Sequence, residues 1–399
     1  MTSSPIELVP AEGGSLTLLI ARLRRALAGE APFAPYAAGP SPEWVTSAAG
    51  SDHDPGMLPA GLALVISTSG STGTPKWAML TADALLQSAE ATQTFLGGPG
   101  RWVLAVPTRH IAGLQVLTRA IVAGTDVVEV DRRGGFRPGP FAAAVRQAAM
   151  GDAPVYVSLV PTQVSRLLRD AQGCAALARC AAVLVGGAAL PPRVRDHAAA
   201  AGVRLVTTYG MSETAGGCVY DGRPLPGTRI RLDEGRISLG GASVAHGYLG
   251  QPELTAEVFG ADPDGTRWFV TDDIGAWETS DGDVDDRLRV LGRRDDVLVT
   301  GGMKVAPRVV EEAVLAAFPQ VLEVLAVGLP DPEWGQCVAL GLVYAAGTSP
   351  LTVAELRDGL RDVLAAYALP RKVVSLAALP ERGPGKPDRA ALARRLAKS

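Results

Sequence analysis

The stretch Ser67-Thr68-Ser69-Gly70-Ser71-Thr72-Gly73-Thr74-Pro75-Lys76 packs three serines, three threonines, two glycines and a lysine behind an apolar run. Glycine permits backbone angles that turn successive N–H groups to one side. The hydroxyls add donors and Lys76 adds a positive charge, and such a nest of donors suits a polyphosphate anion. It is not a Walker A loop, because no Gly-Lys-Ser/Thr closes it. A flexible Ser/Gly turn is the competing reading, and the ordered pattern directly after a strand weighs against it. Glu213 comes next, after Tyr209-Gly210-Met211-Ser212. A hard carboxylate there suits Mg²⁺ shared with phosphates; otherwise it is an acidic residue in a first helical turn. Lys386 sits in Gly383-Pro384-Gly385-Lys386-Pro387. A long flexible ammonium can follow a migrating charge, although most lysines are simply solvated.

Positioning these groups calls for a layered scaffold. Leu16, Leu19, Ile20, Leu23 and Leu27 recur at helical spacing. Residues 33–61, rich in Pro, Gly, Ser and Ala, read as irregular. Leu62–Ser67 reads as a buried strand, followed by the Ser/Gly/Thr loop and a helix from about Thr81. Trp102–Val106, Asp126–Val130, Val155–Leu159, Ala182–Val185 and Val203–Thr207 are further apolar strands with helical patterns between most of them. That rhythm predicts α/β layers with mostly parallel sheets. After Gly227 short strands separated by Gly- and Asp-rich turns predict a small β subdomain: Thr228–Leu232, Arg236–Leu239, Arg267–Thr271 and Arg287–Leu291. From about Arg293 a compact α+β lid is expected, with Pro307 in a first helical turn, strands Val321–Gly328 and Val338–Tyr344, and a helix near Val353–Ala365. The fold class is therefore α/β, with an N-terminal domain over 1–292 and a C-terminal domain over 293–399. No internal repeat is present.

The 399 residues exceed one ordinary core, which also favours two or more folding units. Hydrophobic residues at 47% and charged residues at 20% exclude a disordered chain. A net charge of −3 without a basic block, and only 5% aromatics, argue against nucleic-acid binding. No apolar run is long enough to span a membrane, and the N-terminus lacks the pattern of a secretory signal. Cys174, Cys180, Cys218 and Cys337 show no metal-type pairing, so a reduced, cytoplasmic enzyme is expected.

Taken together, the motifs resemble those of the adenylate-forming superfamily of acyl-CoA synthetases, luciferases and peptide-synthetase adenylation domains. The phosphate loop comes first. Tyr209-Gly210-Met211-Ser212-Glu213-Thr214 is similar to the family's Tyr-Gly-x-Thr-Glu, and Val270-Thr271-Asp272-Asp273 to its Thr-Gly-Asp, with Asp272 where Gly is usual. Gly292-Arg293-Arg294-Asp295-Asp296 resembles the hinge motif, and Gly383–Arg389 the C-terminal Gly-Lys motif. All lie in the family's order and cover residues 62–399.

The resemblance implies two half-reactions. A substrate carboxylate attacks the α-phosphorus of ATP, releasing pyrophosphate, and a thiol then takes the acyl group, releasing AMP. It implies ATP, Mg²⁺ and coenzyme A. Thr68, Ser69, Gly70, Ser71, Thr72, Gly73 and Lys76 would hold phosphates, and Glu213 the metal. Tyr209 would stack on adenine, with Gly187 and Ala188 beside it, and Gly210, Met211 and Ser212 would face the α-phosphate. Asp273 would receive the ribose hydroxyls with Arg293 in support. Lys386 would bridge carboxylate and α-phosphate as the catalytic residue. Asp295 would be the hinge, and Gly301, Gly302 and Lys304 would approach coenzyme A, although Gly301-Gly302 is also what a plain hairpin turn needs.

Val106-Pro107-Thr108-Arg109-His110-Ile111-Ala112-Gly113-Leu114, Val157–Gln163 and Thr214–Gly222 resemble the o-succinylbenzoate–CoA ligases of menaquinone biosynthesis. Thr108-Arg109 replaces their usual aromatic. By this resemblance His110 orders the acyl site or meets the substrate, Gly186 and Gly210 border it, and Arg109 is a cation for a second substrate carboxylate. A lone histidine is more often structural. A CoA ligase for another aryl or fatty acid, transfer to a carrier protein, and a non-catalytic nucleotide sensor stay open as alternatives. A homo-oligomer is compatible with the composition.

Overall fold

The structure, a computed structural model, describes residues 6–11, 14–36, 58–68, 76–278, 286–345, 347–380 and 387–397. Two compact units emerge. One comprises 1–187, 197–231 and 238–271; the other comprises 188–196, 232–237 and 272–399.

The first unit is built on two sheets. In the seven-stranded sheet the order is Arg223–Pro224, Gly216–Tyr220, Leu205–Met211, Ala182–Val185, Val155–Leu159, Arg101–Leu104 and Val127–Glu129. From Leu205–Met211 to Val127–Glu129 every pairing is parallel, and Gly216–Tyr220 returns antiparallel. The parallel strands Val155–Leu159 and Ala182–Val185 are buried along their whole length, as strands covered on both faces should be. The strand expected at Val203–Thr207 runs on to Met211, so Tyr209 and Gly210 lie in the sheet.

The five-stranded sheet runs Glu7–Pro10, Phe33–Tyr36, Leu62–Thr68, Lys76–Thr81 and Gly247–Tyr248. Two of its members correct the sequence reading. Phe33–Tyr36 lies in the stretch read as irregular, yet it pairs parallel with both neighbours. It is four residues long and holds Pro35, so it carries little strand signal. Lys76–Thr81 precedes the expected helix and pairs antiparallel with Leu62–Thr68. The helix itself is Ala82–Leu96, capped by the Thr81 hydroxyl accepting from Ala84 N–H at 3.2 Å. The N-terminal helix Leu16–Leu27 buries Leu19, Leu23 and Ala26 against this core.

A third sheet holds Thr228–Asp233, Arg236–Gly241, Arg267–Glu278 and Phe259–Ala261, with Arg287–Arg293 paired to Arg267–Glu278. The fourth sheet, in the second unit, orders Met303–Val305, Leu298–Thr300, Gly335–Tyr344 and Val321–Asp331, with Lys372–Ser375 beside Gly335–Tyr344. Alternation gives it two buried faces. Val324, Ala326, Leu340 and Leu342 meet helices Pro307–Ala317 and Val353–Leu360, whereas Leu325, Val327 and Ala339 meet helix Arg389–Leu396. The helix read as reaching Ala365 stops at Leu360. Among the described residues no helix is long and apolar enough to cross a membrane.

Candidate active site

Thr68 and Lys76 are cross-strand partners, so the phosphate-loop motif leaves and re-enters the sheet at one point. Ser69, Gly70, Ser71, Thr72 and Gly73 lie outside the described residues. The two strands that carry the loop pack against the short 3₁₀ turn Ser212–Thr214. Glu213 in that turn is 7% exposed. Its carboxylate accepts from the Tyr248 hydroxyl at 2.8 Å, and its backbone carbonyl accepts from Ala245 N–H at 2.8 Å. The Lys76 ammonium lies 5.4 Å from the centre of the same Tyr248 ring. Lys76, Tyr248 and Glu213 therefore form one cluster from three separate parts of the chain. Tyr248 was not singled out in the sequence. Its signal there is only an aromatic after Gly247, and its pairing with Ala78 is visible only in the sheet register.

The turn is held from behind. Ala215 has a left-handed φ of 52°, an uncommon conformation for a residue with a Cβ. Its carbonyl accepts from Gln115 Nε2 at 2.8 Å and from the Ser88 hydroxyl at 3.0 Å. The Thr214 hydroxyl accepts from Met211 N–H at 3.0 Å and donates to the Gly216 carbonyl at 2.7 Å. Gly210 is required for close approach: a Cβ there would overlap the Gly216 carbonyl oxygen across the strand pair. A Cβ on Gly186 would likewise overlap the Thr208 hydroxyl. These two glycines thus serve packing whatever else they border. Tyr209, Met211 and Ser212 are partly exposed beside Glu213, and Gly187, at φ 83°, follows the strand Ala182–Val185.

His110 is the N-cap of helix Ile111–Ala123, and its carbonyl accepts from Gly113 N–H at 3.0 Å. It is exposed, with Arg109 partly so beside it. The positive end of the helix faces that position, where an anion is favoured. Two turns on, the same helix buries Arg119, at 5% exposure. Its guanidinium donates to the Tyr220 hydroxyl at 3.1 Å and lies 5.0 Å from the Trp102 ring, while Nε meets no partner among the described residues. Burial pushes its pKa down. Sequence reasoning passed over Arg119, although one cation on an otherwise apolar helix face is a readable signal.

In the Gly216–Tyr220 strand, burial raises the Cys218 thiol to about 12, as it does Cys180. Cys174 alone of the four is partly exposed. Because the thiolate is the reactive form, iodoacetamide at pH 8 is expected to label Cys174 in the native protein and to spare Cys180 and Cys218, read by peptide mass spectrometry.

The second unit places the remaining residues. Asp273 is the cross-strand partner of Arg293. Asp272, the departure from the family pattern, accepts from Arg236 at 3.4 Å and from Arg293 at 3.2 Å, with Arg294 at 3.9 Å. It is the hub of an arginine cluster, whereas Asp273 stands 3.9 Å from Arg293. Asp295 is exposed in the 3₁₀ turn Arg294–Asp296 and pairs with Arg293 at 3.4 Å. Gly301 and Gly302 form the two-residue turn between Leu298–Thr300 and Met303–Val305, with φ of 56° and 77°. Positive φ at both positions is what a type I′ hairpin requires, so the hairpin reading fits the backbone. Lys304 is exposed on the returning strand, and Ala188 also falls in this unit. Lys386 lies outside the described residues. Its flanks are joined, since Asp388 N–H donates to the Pro380 carbonyl at 2.8 Å, and Arg389 is anchored to Asp296 and Glu311.

Among the described residues no three His, Cys, Asp or Glu side chains gather into a metal cage. One buried carboxylate with a fixed direction does fit Mg²⁺, which keeps waters and substrate phosphates as its other ligands.

Residues 19–249 match the AMP-binding enzyme family and residues 311–386 match the AMP-binding enzyme C-terminal domain. A probable 2-succinylbenzoate–CoA ligase of Mycobacterium tuberculosis is 45% identical over 98% of this chain and 97% of its own length. A feruloyl-CoA synthase of Amycolatopsis is 33% identical over 84% of this chain and 70% of its own. The solved o-succinylbenzoate CoA synthetase of Bacillus subtilis, in complex with its acyl-adenylate intermediate, superposes with a TM-score of 0.71 at 23% identity, over 96% of this chain and 82% of that one. Residues 19–249 and 311–386 match the two domains of one enzyme family, and the α/β fold agrees with it: the protein belongs to the AMP-binding enzymes.

Proposed function

We propose that this protein is a 2-succinylbenzoate–CoA ligase, which uses ATP to form an acyl-adenylate and then transfers the acyl group to coenzyme A. The carrying observation is the convergence of the phosphate-loop lysine Lys76 and the buried carboxylate Glu213 on Tyr248. The near full-length similarity to the mycobacterial ligase selects the acid.

In the first half-reaction a substrate carboxylate oxygen bonds to the α-phosphorus as the bond to pyrophosphate breaks. Negative charge converges, so pre-set donors and cations supply most of the acceleration. Thr68, residues 69–73 and Lys76 hold phosphates, and Glu213 would hold Mg²⁺, which would neutralise phosphate charge. Tyr209, Gly187 and Ala188 take the adenine side, and Asp273 with Arg293 the ribose. Gly210, Met211 and Ser212 face the α-phosphate, and Lys386 bridges it to the acid. Asp273 pairs in register with Arg293 and stands 3.9 Å from its guanidinium, which keeps the two ribose candidates side by side. His110 and the helix it caps bound the acyl site. In the second half-reaction the coenzyme A sulfur bonds to the acyl carbon and AMP departs. Asp295 is the hinge between 1–292 and 293–399, and Gly301, Gly302 and Lys304 accompany the thiol. The substrate has a second carboxylate that needs a cation, and Arg109, beside the helix cap His110, is the candidate. The mostly buried free cysteines accord with a reducing cytoplasm.

A panel of acids with ATP, Mg²⁺ and coenzyme A tests the substrate. 2-Succinylbenzoate is expected to exceed benzoate, ferulate and fatty acids by at least about 10²-fold in kcat/KM, a floor under the about 10⁴–10⁵-fold by which a site rejects analogues that leave its polar groups unpaired. Thioester from ferulate or a fatty acid but none from 2-succinylbenzoate would refute the assignment while leaving the reaction type intact.

A further inference from the structure

Tyr248 is 3% exposed and touches two of the charged groups assigned to the nucleotide. Its hydroxyl donates to Glu213 Oε1 at 2.8 Å, and its ring centre lies 5.4 Å from the Lys76 ammonium. A phenol offers different surfaces to opposite charges: an O–H donor to an anion and a negative π face to a cation. At low dielectric a carboxylate and an ammonium left unrestrained attract each other strongly. A residue that satisfies each one separately can keep both available to a third party.

Tyr248 is itself held firmly. Its backbone N–H donates to the Thr255 hydroxyl at 2.9 Å, its strand pairs with Ala78, and its ring packs edge-on against Phe259 at 5.3 Å. Ala245, three residues earlier, donates to the Glu213 carbonyl, and Leu249, one residue later, donates to the Trp77 carbonyl, each at 2.8 Å. One short segment therefore ties the Glu213 turn to the strand that begins at Lys76.

We infer that Tyr248 is a positioning residue for the nucleotide and its Mg²⁺: the hydroxyl sets the direction of the Glu213 carboxylate, and the ring holds the Lys76 ammonium. This rests on the nucleotide reading above and adds a residue to it. Tyr248 acts through Glu213 and Lys76 and does not touch the reacting atoms.

The test is calorimetric titration of ATP at several Mg²⁺ concentrations, with KM for ATP and for the acid measured alongside. Tyr248→Phe keeps the ring and loses the donor. It is expected to weaken Mg²⁺-dependent ATP binding about tenfold, the scale of one hydrogen bond to a charged group, with KM for the acid unchanged and the melting temperature lowered by a few degrees as the buried carboxylate loses a donor. Tyr248→Leu also loses the cation–π contact and is expected to fall a further ~3-fold. In Glu213→Gln, where the carboxylate charge is already gone, adding Tyr248→Phe is expected to cost little more, because coupled groups are non-additive. Equal Mg²⁺ dependence in Tyr248→Phe and wild type overturns the inference, as does full additivity with Glu213→Gln. Wild-type protein that binds ATP with no response to Mg²⁺ would overturn the assignment of Glu213 to the metal, and this inference with it.

Discussion

Lys386→Ala is expected to lower acyl-adenylate formation by about 10²–10³-fold, the cost of removing one charge-stabilising donor from a transition state, while ATP still binds within about twofold. The reasoning is electrostatic. Carboxylate and triphosphate repel, and the repulsion peaks as the new bond forms. A cation that meets both anions only at that point lowers the barrier without tightening the ground state. The described residues that flank Lys386 are joined by the Asp388 N–H bond to Pro380, and Arg389 is anchored to Asp296 and Glu311. Pyrophosphate release from ATP and acid, followed over a single turnover, measures the effect. Thioester formation from acyl-adenylate supplied directly should stay close to wild type, because that half-reaction brings no second anion to the phosphate. Full pyrophosphate release from the variant would remove Lys386 from the first half-reaction.

Glu213→Gln is expected to cost about 10²-fold in adenylate formation, an electrostatic loss comparable to one transition-state contact, and to abolish most of the Mg²⁺ dependence of ATP binding. The amide keeps the shape of the carboxylate, and its oxygen can still accept from Tyr248. What is lost is charge, and a hard divalent cation binds a neutral amide far less well. Glu213 is 7% exposed, so the carboxylate is buried in the folded chain before any ligand arrives. The amide keeps the shape and the Tyr248 contact, so the melting temperature should stay within a few degrees of wild type. A variant that melts much lower and retains full Mg²⁺ dependence would make Glu213 a structural residue.

Much of this was readable in advance. The apolar strands Val155–Leu159 and Ala182–Val185 carry their own signal, because a strand buried on both faces must be apolar throughout. Thr81 announces the helix that follows it, because a hydroxyl at that position satisfies an orphan backbone donor. Phe33–Tyr36 was missed for the opposite reason, because its hydrogen bonds go to strands distant in sequence. Lys76–Thr81 pairs with the strand just before it, but it shows no clean alternation of its own.

The same division runs through the site and returns to the phosphate loop. Sequence alone marked the residues expected to carry the chemistry. The Ser67–Lys76 motif, the residues around Glu213 and the Gly-Lys segment at Lys386 are local patterns whose residue types suit phosphate and metal binding. Only the tertiary structure decided which residues hold them in place. Tyr248 reaches Glu213 across 35 positions and Gln115 reaches Ala215 across 100. Arg119 is buried where Tyr220, 101 positions away, accepts its hydrogen bond. Such contacts depend on strand register and helix packing, and a register shift of one residue would turn each side chain to the opposite face.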